Sequence, residues 1–252
     1  MTRTTRAFYT ASAIALCLTL VGLFTPAASA ASISYGNFGP VPPGVSFLTV
    51  TESSGTDPVP LFGPPTPFAT GLDFDPQSFT SSASNGGADI TDGQLNYTVV
   101  SAGLLSLNLF EAGDYSLGGV GGPPTQALAG VIVRATVTQV NGNPVAPTPL
   151  LPANASVGFA LPPTQVAQPW SLGLGLNVGA QVTALFGPNA RATRVEIVID
   201  NSLLTTSQPG TVSFIAKKEF ILDHDVVPEP TTAGLVGVAL CGLGLAGARR
   251  RG

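Results

Sequence analysis

Cysteine, histidine and tryptophan are almost missing from this chain of 252 residues. It has two cysteines, one histidine and one tryptophan. Both cysteines, Cys17 and Cys241, lie in hydrophobic runs close to the chain ends. We therefore expect no disulfide in the region that lies between the two runs. Apolar burial and strand pairing must then stabilise the intervening region, and about 200 residues can bury enough surface to do so.

Basic residues are also scarce between residues 31 and 226. Five of them stand against thirteen acidic residues, which gives this region a net charge of −8. The five are Arg134, Arg191, Arg194, Lys217 and Lys218. Because binding to phosphate backbones needs a basic stripe, we predict no nucleic-acid partner, and the acidity argues equally against anionic lipids and polyanions. A neutral polysaccharide, such as an exopolysaccharide, or a bound cation stays open.

The N-terminus has the layout of a secretory signal peptide. Arg3 and Arg6 precede an apolar run over residues 11–24, and Ala28-Ser29-Ala30 follows it. The small side chains of Ala28 and Ala30 suit signal peptidase, so we predict export by the general secretory machinery and cleavage after Ala30. Lipidation of Cys17 is disfavoured, because it lies within the apolar run rather than at its end.

A second hydrophobic run, residues 233–248, ends at the basic cluster Arg249, Arg250 and Arg251. Positive flanks stay on the cytoplasmic side, so this predicted transmembrane helix places the body of the chain outside the cytoplasm. Sixteen residues rise only about 24 Å, against a hydrocarbon core of roughly 30 Å, which predicts a weak hold on the bilayer.

Just before that run stands Pro228-Glu229-Pro230. Together the Pro-Glu-Pro motif, the short glycine-rich run and the arginine cluster resemble the PEP-CTERM sorting signal, over residues 227–252. The resemblance implies processing by an exosortase, a membrane-embedded transpeptidase-like enzyme of Gram-negative bacteria that make exopolysaccharide and biofilm matrix. An ordinary membrane anchor with a proline-rich stalk is the alternative.

Between the two ends, period-two alternation predicts many short strands. The apolar phases are Val131, Val133, Ala135 and Val137; Leu105, Leu107 and Leu109; Val195, Ile197 and Ile199; and Val212, Phe214 and Ala216, with Ser213 and Lys217 on the opposite side. With frequent Gly/Pro turns, this pattern favours an all-β fold. We predict a single β-sandwich over residues 31–226, with the jelly roll as the expected strand arrangement. Proline-rich tracts at 58–67 and 144–152 are predicted to be surface loops. Residues 170–185 fit a strand in their first half and a helical turn in their second.

Residues that could carry chemistry are few. His224 lies between Asp223 and Asp225 just before the Pro-Glu-Pro motif, and we expect it to be a solvated linker residue. A calcium site needs several converging oxygen ligands, and the weak candidates are Asp73, Asp75, Asp89 and Asp92. Trp170 is the candidate for stacking on a sugar ring.

We therefore expect a non-enzymatic surface or extracellular-matrix protein without a cofactor, first anchored in the inner membrane and then sorted to the cell surface or released. Its role would be structural or adhesive. A carbohydrate-binding module using Trp170 is the alternative from another class. A surface hydrolase is a third reading, and it would need two carboxylates roughly 5 to 10 Å apart.

Overall fold

The computed structural model describes residues 31–41 and 44–227. The predicted signal peptide, with Ala28 and Ala30, lies outside the described residues, and so does the sorting segment from Pro228 to the arginine cluster. Among the described residues, no helix is long and apolar enough to cross a membrane.

The described residues form twelve strands and one short helix. The strands are β1 (Ala31–Val41), β2 (Val45–Ser54), β3 (Thr66–Phe68), β4 (Gly71–Phe74), β5 (Thr80–Ser84), β6 (Ala88–Gly119), β7 (Gln126–Val140), β8 (Asn143–Pro149), β9 (Ala153–Ala160), β10 (Gln165–Asn177), β11 (Ala192–Thr206) and β12 (Thr211–Val226), and the helix is α1 (Val178–Phe186). The predicted all-β class is confirmed, while the jelly-roll arrangement stays a prediction.

Strand β6 organises the whole sheet, because its two halves have different neighbours. Its first half pairs with β11 and β2, and its second half pairs with β12 and β10, all antiparallel. The first layer therefore runs β1-β2-β6-β11-β7, with β8 and β9 both against β7. The second layer runs β10-β6-β12, with β4 and β5 on the free side of β12 and β3 against β4.

The inner faces of the two layers meet in one apolar core. Four phenylalanines, Phe62, Phe74, Phe79 and Phe220, are fully buried there and pack edge to face, with ring centroids 5.0 to 6.1 Å apart. Edge-to-face contact suits the ring quadrupoles and adds to the stabilisation from burial. Polar contacts also cross the interior, for example Ser81 Oγ to Thr205 Oγ1 at 2.8 Å.

The alternation predictions are confirmed in β7 and β11. Val131, Val133, Ala135 and Val137 are buried, and so are Val195, Ile197 and Ile199. In β12 the predicted phase is wrong. Val212 and Phe214 are exposed, while Ser213, Ile215 and Lys217 are buried; only Ala216 of the predicted inward residues is buried as expected. A register shift between Lys217 and Glu219 marks a bulge, which reverses the alternation so that Phe220 and Leu222 also face inward.

A second bulge corrects the prediction for Leu105. Val226 pairs with Leu104 and Asp225 pairs with Ser106, so Leu105 is left without a partner in this pairing. Leu105 is 44% exposed, whereas Leu107 and Leu109 are buried as predicted. The unpaired bulge residue therefore turns outward, while Leu104 before it and Leu107 after it stay buried.

One of the two predicted proline-rich loops is a strand. Residues 143–149 form β8, which lies at the edge of the first layer, where a missing amide donor leaves no ladder bond unmade. The tract at 58–67 is mainly loop, but it buries Leu61 and Phe62. Both readings of residues 170–185 are confirmed, because β10 ends at Asn177 and α1 begins at the next residue.

His224 is not a linker residue. It lies on β12, is fully buried and contacts the Tyr97 hydroxyl through Nε2 at 3.1 Å and the Thr70 carbonyl through Nδ1 at 3.0 Å. Burial lowers the pKa of His224 from 6.5 to about 4, against the opposing effects of the Thr70 carbonyl and of Asp223 and Asp225. The neutral ring is thus part of the core.

This burial predicts a pH-dependent stability. Below pH 6.5 the unfolded chain protonates His224, whereas the folded chain does so only near pH 4, so the unfolded state holds more protons in that window. The free energy of unfolding should therefore fall as the pH is lowered from 7 to 4, by roughly 3 kcal/mol from this residue. Urea unfolding across that range measures it. His224→Gln should remove this part of the slope, and identical pH dependence in both proteins would contradict the assignment.

Candidate functional site

An open groove of about 490 Å³ crosses the outer face of the first layer. Paired residues of neighbouring strands form two rows along it. The first row is Ser53, Gln94, Asp200, Ile132 and Asn154, and the second is Asp92, Ser202, Gly130 and Ser156. At the usual spacing between strands, five strands span about 19 Å, so the groove suits an extended ligand rather than a single small molecule.

These side chains line one face because β6, β7, β9 and β11 alternate strictly at this point. Each groove residue lies between two residues that face the core, as Asp200 does between Ile199 and Asn201. The alternation that builds the core therefore also builds the groove.

The groove has two fixed carboxylates. Gln94 Nε2 donates to Asp200 Oδ1 at 2.6 Å, and Arg134 donates to Asp200 Oδ2, with Arg134 half exposed. Asp92 accepts a hydrogen bond from the Thr56 hydroxyl. Because neighbouring donors hold both side chains, their remaining acceptor capacity is presented in a defined direction.

Other polar side chains of the groove are free for a ligand. Within the part of the chain that the structure describes, no hydrogen bond occupies the side chains of Asn154, Ser156 or Ser202. Between them the floor is apolar or bare, with Ile132 38% exposed and Gly130 contributing no side chain. Donors and acceptors around an apolar floor can bind a molecule that has both hydroxyl groups and C–H faces.

The structure does not bring the four calcium candidates together. Asp92 lies in the groove, and Asp89 accepts from the Ser82 amide at 2.8 Å. Asp73 and Asp75 line a separate cleft of the second layer, where burial, and then the charge of Asp75, raises the pKa of Asp73. No group of three or more potential metal ligands occurs among residues 31–41 and 44–227.

The sugar-stacking role predicted for Trp170 is wrong. Trp170 is only 5% exposed, and its Nε1–H donates to the Ala216 carbonyl at 3.1 Å. Its ring face is therefore covered by the core, and a sugar has no access to it. The alternation along β10 places Trp170 on one face of the strand, but the sequence does not show which face of an edge strand is buried.

Sequence reasoning missed most of the groove. It singled out Asp92 alone, as a metal ligand, whereas Gln94, Asn154, Asp200 and Ser202 come from three strands far apart in the sequence. Each lies on the polar phase of an alternating strand. Only the registers of β6, β7, β9 and β11 show that these polar phases meet.

Comparisons with known proteins identify no family for this chain. No family model matches it, and no curated protein matches it. A solved structure of TmCBM61 in complex with β-1,4-galactotriose is similar at 13% identity and TM-score 0.20, over 63% of this chain and 73% of that one. The metal-free lectin I-B4 of Griffonia simplicifolia is similar at 12% identity and TM-score 0.21, over 77% and 99%. A carbohydrate-binding module of the β-sandwich superfamily is similar at 12% identity and TM-score 0.22, over 70% and 74%.

The buried indole leads to a prediction for the only tryptophan of the chain. Trp170→Phe removes the indole N–H that donates to the buried Ala216 carbonyl, which should lower the free energy of unfolding by about 1–3 kcal/mol. In the unchanged protein, iodide should barely quench the tryptophan fluorescence. Strong quenching by iodide, or quenching relieved by an added oligosaccharide, would show that the ring is accessible after all.

Proposed function

We propose that this chain is an exported, non-enzymatic protein of the cell surface or extracellular matrix, and that it binds a neutral polysaccharide in the groove of its first layer. The groove carries the proposal. It offers two oriented carboxylates, free amide and hydroxyl groups and an apolar floor along one face. A chain of sugar rings has the matching chemistry, since its hydroxyl groups both donate and accept and its C–H faces are apolar.

Charge selects among the polymers that could lie there. Asp92 and Asp200 line the groove, and Arg134 is already paired with Asp200. An acidic polysaccharide or a nucleic acid would bring negative charge next to these carboxylates with no free cation in the groove lining to offset it. A neutral glycan avoids that repulsion.

Filling the groove should abolish binding without disturbing the fold. A Cβ added at Gly130 would meet only Ser202 Oγ, at 3.5 Å, so the Cβ of Gly130→Val has room and we expect its two methyl groups to fill the groove. Affinity for neutral oligosaccharides of several hexoses, measured by glycan array and then calorimetry, should fall at least about tenfold, which is a loss of roughly 1.4 kcal/mol. Asn154→Ala should weaken binding about fivefold, through one lost hydrogen bond.

The matched control is Gly158→Val. Gly158 lies on β9 outside the groove lining, and its added Cβ would meet Leu128 side-chain atoms at 3.5 Å. It should keep full affinity. Binding that survives Gly130→Val, or that is equally weakened by Gly158→Val, would place the ligand elsewhere, and preferential binding of acidic polymers would contradict the choice of a neutral glycan.

Delivery and sorting form the second part of the proposal. The support is the resemblance of residues 227–252 to the PEP-CTERM signal, together with the position of the last described strand. Strand β12 ends at Val226, and the Val227 amide donates to the Gly103 carbonyl at 2.8 Å, directly before Pro228. The motif Pro228-Glu229-Pro230, at which an exosortase would act, therefore follows the last contact of the described domain directly in the sequence.

Sorting is tested by the mass of the protein in its host. A species that begins at Ala31 and ends near Pro228 to Pro230 should be found outside the inner membrane. Deleting Arg249, Arg250 and Arg251, or replacing Glu229 by Ala, should leave an unprocessed precursor in the membrane fraction. If the mature species still appeared with the same mass and location, processing would not depend on this signal.

A further inference from the structure

Three polar residues from three strands meet in the middle of the core. Lys217 of β12 donates from Nζ both to Glu111 Oε2 of β6 and to Asn201 Oδ1 of β11. Asn201 Nδ2 donates to the same Glu111 oxygen at 2.7 Å. Lys217 is 1% exposed, Glu111 0% and Asn201 2%. The carboxylate of Glu111 thus touches both the amine of Lys217 and the amide nitrogen of Asn201.

The surroundings of this cluster disfavour a permanent ion pair. Rings of Phe79, Phe220 and Phe62 surround the amine, with centroids 4.6, 5.1 and 5.7 Å from Nζ. Burial lowers the pKa of Lys217, although Glu111 opposes that effect. Glu111 Oε1 is buried and has no hydrogen-bond partner among the described residues. A buried carboxylate with one oxygen unpaired carries a high desolvation free energy. Transfer of one proton from Nζ to Glu111 would therefore remove the charge of both side chains.

We propose that Lys217 and Asn201 react to form an intramolecular isopeptide bond, with Glu111 as the catalytic acid and base. The neutral Nζ attacks Cγ of Asn201, and Glu111 passes the proton lost by Nζ to Nδ2. The Cγ–Nδ2 bond breaks, ammonia leaves, and an amide joins Nζ to Cγ. One amide replaces another, so the reaction needs no oxidant, reductant or cofactor, and Glu111 ends as it began.

Four physical features favour this reaction. Folding holds the amine and the carboxamide in contact, which removes the entropic barrier to their meeting. Desolvation makes the amine a nucleophile, and one carboxyl group touches both the attacking and the leaving nitrogen. The buried setting also keeps out water, which would otherwise compete as the nucleophile.

The bond would link the two layers directly. Asn201 lies on β11 in the first layer and Lys217 on β12 in the second, and these strands do not pair with each other among the described ladders. The two residues are 16 positions apart in the sequence. An isopeptide bond would therefore close a short covalent loop across the core, in a region without cysteine.

Mass spectrometry of the purified full chain tests the proposal. The intact protein should be lighter than its sequence mass by one ammonia, after any terminal processing is read from the terminal peptides. A tryptic digest should contain residues 195–218 as one peptide that is lighter by one ammonia and closed into a loop between Asn201 and Lys217, because cleavage after Lys217 is lost. Full sequence mass in the unchanged protein, with residues 195–217 recovered as an ordinary linear peptide that ends at Lys217, would overturn the proposal and leave a buried ion pair.

Variants separate this bond from other losses of ammonia. Lys217→Arg, Asn201→Ala and Glu111→Gln should each show no mass loss, and each should migrate differently from the unchanged protein on a denaturing gel. Lys218→Arg is the matched control, because Lys218 is exposed and pairs with Asp114; it should keep the loss. A loss that persists in Lys217→Arg would instead indicate a cyclic imide at an asparagine and would count against the proposal. The mass of the unchanged protein decides the matter even if a variant does not fold.

Discussion

Buried polar contacts between the two layers determine how the layers are aligned with each other. Lys217 meets Glu111 and Asn201, and His224 meets Tyr97, each time with partners from different layers or from the strand that joins them. An apolar interior alone would tolerate small slips of one layer against the other. A slip of β12 by one residue would turn Lys217 and His224 outward and leave Glu111 and Tyr97 unpaired in the core, so one register is strongly preferred.

The same register determines the groove on the outer face. Residues that alternate with the core positions of β6, β11, β7 and β9 must lie in rows, because antiparallel pairing sets them side by side. Asp200 is the clearest case: it follows the core residue Ile199, precedes the cluster residue Asn201, and is held by Gln94 and Arg134 on the surface. Packing inside and hydrogen bonding outside are therefore two consequences of one strand alignment.

Sequence patterns predicted the class of fold and the inner faces of β7 and β11, where hydrophobic periodicity is uninterrupted. They failed at Leu105, where a bulge that depends on pairing changes the phase. They also failed at Val212 and Phe214, because Ile215 makes the opposite phase of β12 apolar as well, and the sequence does not show which phase faces inward. They also misplaced Trp170 and His224, because local sequence does not show what covers a side chain. Asp92 was the only groove residue that the sequence singled out, and Lys217 was expected on the outer face of its strand. The groove and the Lys217 cluster both combine residues from different strands, and only the strand register shows that these residues meet.

The proposed ligand groove and the proposed isopeptide bond are connected through the mechanical force that a bound ligand would exert. A ligand in the groove would pull on the first layer, whereas the predicted tether follows β12 of the second layer in the sequence. Force between ligand and tether would therefore peel β12 away from Val226 inward. Peeling would stop at Lys217 if an amide joined it to Asn201, because β11 would then carry the load through a covalent bond. Such a bond would serve where a disulfide often does in exported domains, yet it would not depend on the redox conditions outside the cell.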